Sequence, residues 1–153
     1  MSQAKVNGLV LEYEDFGERS DPPLLLVMGL NAQMTGWPED FCRRLADRGH
    51  YVVRFDNRDV GLSTWFDQHP PGDPVVAFLS FLEGGSVEAP YSLSDLADDT
   101  AGLIDFLGFD STHVVGASFG GMIAQRIAMG HPERVRSLTS IMSMPRIVPL
   151  DLD

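Results

Sequence analysis

The sequence predicts an α/β fold, with a mostly parallel sheet (two antiparallel edge strands, then four parallel) and helices on both faces. Three observations carry this expectation. From residue 24 onward, strand-like and helix-like stretches alternate with short connections, the pattern that builds a parallel sheet. Residues 24–28 and 51–55 are near-continuous apolar runs, as strands covered on both faces require. Ahead of them, residues 5–16 alternate apolar and polar side chains (Val6, Leu9, Leu11, Tyr13) around Asn7-Gly8, which marks an edge hairpin.

The remaining elements follow in order. Residues 20–23 form a polar, proline-bearing connection into the first parallel strand, which leaves through Gly29-Leu30-Asn31. Trp37-Pro38 opens a helix with proline near its first position, Phe41, Leu45 and Ala46 as its buried stripe, and Gly49 as its stop. Cys42 sits at an apolar position of that helix, which assigns it to packing. The second parallel strand, at Tyr51–Phe55, ends in Asp56-Asn57-Arg58-Asp59. Residues 64–91 are irregular and punctuated by Pro70, Pro71, Pro74 and Pro90, with a short apolar helix over 74–82. Ser92 and Asp95 then start a helix by a capping-box pattern; Leu96, Thr100, Leu103, Ile104 and Leu107 follow helical spacing, and Gly108 closes it. An apolar strand signal (Thr112, Val114, Val115) leads to a helix reaching about Met129, Gly130-His131-Pro132 breaks it, and residues 135–142 make a last strand.

Bulk properties bound the function. A chain of 153 residues fits one domain with a real core, and 44% hydrophobic with 22% charged residues is ordinary for a globular protein. A net charge of −11 opposes binding to phosphate backbones or anionic membrane surfaces, so neither nucleic acid nor membrane is an expected partner. A single cysteine permits no intrachain disulfide. The first residues carry no apolar leader, and no stretch reaches membrane-spanning length, so a cytoplasmic protein is the expectation.

The chemistry concentrates at Val114-Val115-Gly116-Ala117-Ser118-Phe119-Gly120-Gly121, which contains G-x-S-x-G between a strand and a helix. In that context the serine stands on a strained turn, the flanking glycines relieve crowding, and the helix N-terminus favours negative charge beside it. The plainer alternative is a glycine-rich turn whose serine caps the helix. Gly29-Leu30, the Asp56 turn and Ser118 all fall at carboxyl ends of parallel strands, the rim where such sheets bind ligands.

The stretches L-L-L-V-M-G-L-N, D-N-R-D-V-G-L-S, V-V-G-A-S-F-G-G and H-P-E-R-V-R-S-L, in that order, resemble the N-terminal half of an α/β-hydrolase over nearly the whole chain. The combination is most similar to the branch of aclacinomycin methylesterase-like enzymes and related carboxylesterases. Three positions depart from the pattern: Met28 stands where a histidine is common, Asp59 where a glycine is usual, and Phe119 where a methionine is frequent. The resemblance implies Ser118 as nucleophile and the backbone N–H groups of Phe119 and Leu30 as oxyanion donors, with no cofactor and no metal. It implies Gly29 and Trp37 near the substrate, Asn31 either lining the pocket or merely bonding its own loop, and Asp56 and Arg58 as an ion-paired brace. The substrate it implies is a small ester carrying an apolar acyl or alcohol group.

The resemblance also implies an acid and a histidine after a cap, so residues 1–153 read as a single core domain truncated before the cap and the last strands. Of the four histidines, His50 and His113 belong to the far end of the sheet, His131 lies a helix length away, and His69 falls in the irregular stretch. The last strand is then an open edge able to pair with a second copy. Three functions remain open on the sequence: an esterase acting through an acyl-serine, a cofactor-free haloperoxidase or perhydrolase, and a catalytically silent module that binds a ligand or partner.

Overall fold

A computed structural model describes residues 1–66, Val76 and 89–145. Its six strands are β1 (Ser2–Val6), β2 (Leu9–Phe16), β3 (Pro23–Val27), β4 (Tyr51–Phe55), β5 (Thr112–Ala117) and β6 (Val135–Ile141). They form one sheet in the order β1-β2-β4-β3-β5-β6, with β1 and β2 antiparallel and β4, β3, β5 and β6 parallel. This is the expected arrangement. The hairpin turns at Asn7 (φ 50°) and Gly8 (φ 81°), two consecutive left-handed residues that match the twist of the flanking strands.

Among the described residues, three α-helices longer than a turn cover the sheet: α1 (Glu39–Ala46), α2 (Leu93–Phe106) and α3 (Phe119–Gly130). Alternation along β3 shows how both faces are filled. Leu25 and Val27 join Leu103, Ile104, Ile123 and Ile127 under α2 and α3. Leu24 and Leu26 join Trp37, Cys42 and Val52 under α1. The chain leaves β3 toward β4 through α1 and leaves β5 toward β6 through α3, on opposite faces. The crevice between the carboxyl ends of β3 and β5 is therefore a topological switch point, the place where open α/β sheets take ligands.

Two local expectations change. The helix opened by Trp37-Pro38 begins at Glu39, with Pro38 as its N-cap, and its buried residue is Cys42, fully enclosed. Cys42 faces the sheet, with Leu45 and Ala46 half-buried on the same side, and Phe41, about 100° round the helix from Cys42, is exposed and stacks on Trp37 at 5.6 Å. Burial also pushes the Cys42 thiol above its ordinary pKa, as suits a packing role. The α2 start is as expected: Ser92 accepts from the Asp95 N–H and Asp95 accepts from the Ser92 N–H. The short helix over 74–82 and His69 lie outside the described residues, except for Val76, which is helical.

Candidate active site

Ser118 sits between β5 and α3 with φ 52° and ψ −121°, a left-handed conformation that a residue with a Cβ adopts only under constraint. Two backbone bonds hold it: the Ser118 N–H donates to the Ile141 carbonyl at 2.8 Å, and the Gly121 N–H donates to the Ser118 carbonyl at 2.9 Å. Its side chain makes no capping bond, so the alternative of a serine serving only as helix cap fails. The residue is exposed, and its hydroxyl bonds no described residue.

Close packing explains the glycines around it. A Cβ on Gly116 would lie 2.2 Å from the Gly120 carbonyl oxygen, and one on Gly120 would lie 2.3 Å from the Val27 carbonyl oxygen. The elbow is thus pressed against the end of β3. On the other side of the crevice, a Cβ on Gly29 would lie 3.4 Å from Ser118 Cβ and 3.9 Å from its Oγ. Leu30 follows directly, 60% exposed, in a tight turn closed by the Ala32 N–H on the Gly29 carbonyl at 3.2 Å, with Asn31 at φ 54°. Among the described residues, the backbone N–H groups of Leu30 and Phe119 donate to no acceptor. One of these free amides follows Gly29, the residue packed beside Ser118, and the other stands at the N-terminus of a twelve-residue helix.

The turn after β4 reaches the same rim. Asp56, 3% exposed, forms no ion pair among the described residues, which corrects half of the expected brace; its carboxylate takes backbone N–H groups instead, from Met34 at 2.7 Å and Leu62 at 3.3 Å. Arg58 does form the expected pair, with Asp99 at 2.6 Å, and both are buried. Its guanidinium also packs against both the Phe66 and Tyr91 rings, at 5.3 and 4.9 Å, and the two rings touch each other at 5.6 Å. Burial, with the Asp59 carboxylate beside it, pushes the Tyr91 phenol up. Asp59 itself has φ 59°, which accounts for the glycine usual at this position: the backbone is left-handed and the aspartate tolerates it. Asp99 was not singled out from the sequence. Its signal was an acidic residue inside the apolar spacing between Leu96 and Leu103.

Other predicted residues fall elsewhere. Trp37 is 7% exposed in the core beneath α1, stacked on Phe41, so its ring serves packing rather than an open pocket. His50 and His113 meet edge to face at 5.9 Å at the opposite end of the sheet, where His113 pairs in register with Leu24. His131 caps the far end of α3 and pairs with Asp98 at 2.7 Å, about 18 Å of helix away from Ser118. No described histidine bonds the serine.

A strand-elbow-helix over a parallel sheet, at its switch point, defines an α/β-hydrolase. The chain belongs to the alpha/beta hydrolase fold family, whose sequence model matches residues 22–153. Among curated relatives, it is 34% identical over 140 residues to the rhodomycin D methylesterase DauP of Streptomyces sp. (strain C5), covering 92% of this chain and 41% of that one. It is 26% identical over 131 residues to a putative carbamate hydrolase, RutD, of Variovorax paradoxus (strain S110), covering 86% and 41%. Among solved structures, a hydrolase from Pseudomonas aeruginosa PA01 superimposes with a TM-score of 0.77 at 26% identity, covering 97% of this chain and 48% of that one. The chain thus spans less than half the length of these relatives. Among the described residues, no helix is long and apolar enough to cross a membrane.

Proposed function

We propose that the protein is a serine hydrolase of the carboxylesterase type, with Ser118 as nucleophile and the N–H groups of Leu30 and Phe119 as its oxyanion hole. The observation that carries this reading is the strained, exposed Ser118 backbone beside two unpaired amides. In the reaction, Ser118 Oγ attacks the ester carbonyl, its proton passes to a base, and the carbonyl oxygen becomes an oxyanion between the two donors. Collapse expels the alcohol and leaves an acyl-serine, which water then cleaves. Removing one such donor typically costs roughly 3–4 kcal/mol of barrier. In this reading the histidine and acid that activate Ser118 come from outside the described residues.

The rim next to the serine is apolar. Leu30 is 60% exposed, and Met142, next to the residue whose carbonyl holds Ser118, is 84% exposed. That supports an ester with an apolar group, in line with a relative that is a methylesterase. The second reading is a silent binding module, favoured by the absence of any described side chain on the Ser118 hydroxyl. Hydrolysis of a short p-nitrophenyl ester by the wild type and Ser118→Ala separates the two. Loss of turnover in the variant is expected; equal rates would establish the silent module.

A further inference from the structure

We infer that Asp56 is a positioning residue for the reaction, holding the loop that carries the Leu30 N–H against Ser118. The inference rests on the reading of Ser118 and Leu30 given above. Residues 28–33 form no regular structure, and their tip is exposed at Leu30 and Asn31. Among the described residues, the bonds tying this loop to the rest of the protein come from the β4 turn and clamp its two ends. At the near end, the Asn57 side-chain amide donates to the Met28 carbonyl at 3.4 Å. At the far end, the Met34 N–H donates to Asp56 Oδ1 at 2.7 Å.

Asp56 is itself fixed on every side. Its own N–H donates to the Glu12 carbonyl at 2.9 Å, and the Ser63 hydroxyl donates to the Asp56 carbonyl at 2.6 Å while accepting the Glu12 N–H at 2.9 Å. The Leu62 N–H holds Oδ2, and Gly61 leaves room for the carboxylate: a Cβ there would lie 2.0 Å from Oδ2. The carboxylate is therefore a preset acceptor whose location comes from β2 and β4, the rigid part of the sheet. Through Met34 it transmits that location to the loop. An oxyanion donor acts only if it is in place before charge develops, so a displacement of about 1 Å costs on the order of 10²-fold in rate.

The test uses the full chain with Asp56→Ala, Asp56→Asn and Gly61→Ala. Ile104→Val, a core trim on α2, serves as the stability control. Two quantities are read: the rate at which a fluorophosphonate probe labels Ser118 per folded molecule, and hydrogen exchange over residues 29–36. Asp56→Ala is expected to speed exchange across the loop and to lower the maximal labelling rate about 10²-fold at unchanged half-saturation. Asp56→Asn keeps one carbonyl acceptor for Met34 and should recover most of that loss. Gly61→Ala, which pushes the carboxylate aside, should move both readouts in the direction of Asp56→Ala. Ile104→Val should leave the labelling rate alone. Unchanged exchange in folded Asp56→Ala, or faster exchange with wild-type labelling, overturns the inference. If the wild type does not label at Ser118, the nucleophile reading itself falls and takes the inference with it; that failure is visible before any variant is made.

Discussion

Gly120→Ala places a methyl group where the backbone of β3 already stands. The new Cβ would lie 2.3 Å from the Val27 carbonyl oxygen, 2.6 Å from the Met28 carbonyl oxygen and 2.7 Å from the Val27 carbonyl carbon. Ordinary contact begins at about 3.5 Å, so one of the two main chains must retreat by about 1 Å. No side chain is available to rotate away. Overpacking of this kind costs about 1–3 kcal/mol, and the absence of a rotamer escape places it at the upper end. Against this, alanine gains up to about 1 kcal/mol over glycine in a helix. The steric term wins, leaving a net loss of about 2 kcal/mol.

Gly130→Ala at the other end of α3 isolates the propensity term. A Cβ there meets nothing within 4 Å, so that variant should gain about 0.5–1 kcal/mol. The two variants then differ by about 3 kcal/mol, which in a domain of this size separates their melting temperatures by about 6–12 °C. Thermal unfolding followed by circular dichroism reads the difference. Equal melting temperatures would mean that the elbow is not pressed against β3, and the close approach of Ser118 to the Leu30 loop would lose its basis.

Three further outcomes follow from the same geometry. Ser118→Gly removes the Cβ from a left-handed backbone and should raise stability by about 1 kcal/mol or more while abolishing probe labelling, whereas Ser118→Ala keeps the strain; a glycine variant no more stable than the alanine one would show that the elbow stores none. Burial, then His50 and Arg136, hold the His113 imidazole below its ordinary range, so the unfolded state takes up its proton first: stability is fully present above about pH 6.5 and declines as pH falls through the lower folded value. His113→Gln should flatten that part of a urea-midpoint profile, and an undiminished acid loss in the variant would refute it. Finally, β6 is the last strand of the sheet among the described residues, with 136–140 exposed, so residues 1–153 on their own should self-associate with concentration by light scattering and Leu138→Lys should suppress it; a monomer with protected β6 amides would count against edge pairing.

How much of this was legible in the sequence depended on the distance over which each signal acts. Period-two alternation in the hairpin, apolar runs at β3 and β4, and the Ser92–Asp95 cap are local, and each led to the right element. The elbow was legible for the same reason, since Gly116, Ser118 and Gly120 lie within five residues of one another. In α1 the packing role of Cys42 was legible but the burial of Phe41 was not, because eight residues hold too few turns to fix the apolar face by periodicity. The Asp56 contact to Met34 spans 22 residues and the Arg58 pair with Asp99 spans 41. The sequence marks Asp99 as an acidic residue on an apolar helix face but names no partner for it, and only the folded arrangement brings either pair together.

The same distinction explains why the site lies where it does. A serine on a tight turn is a local product of its glycines, but an oxyanion hole needs two amides from segments far apart in sequence. β3 and β5 are neighbours because β4 is laid outside β3, and the crossovers leave the pair on opposite faces, so both loops open into one crevice. With the strands in sequence order instead, Gly29 and Ser118 would be separated by a strand spacing of about 4.8 Å more, beyond the reach of a shared oxygen. In the proposed reaction, the topology of the sheet, rather than the motif alone, is what would let Leu30 and Phe119 act as a pair of donors. The clamp from β4 acts in the same arrangement, because β4 is the strand on the other flank of β3. A substitution that shifts β4 along its register should therefore disturb the crevice.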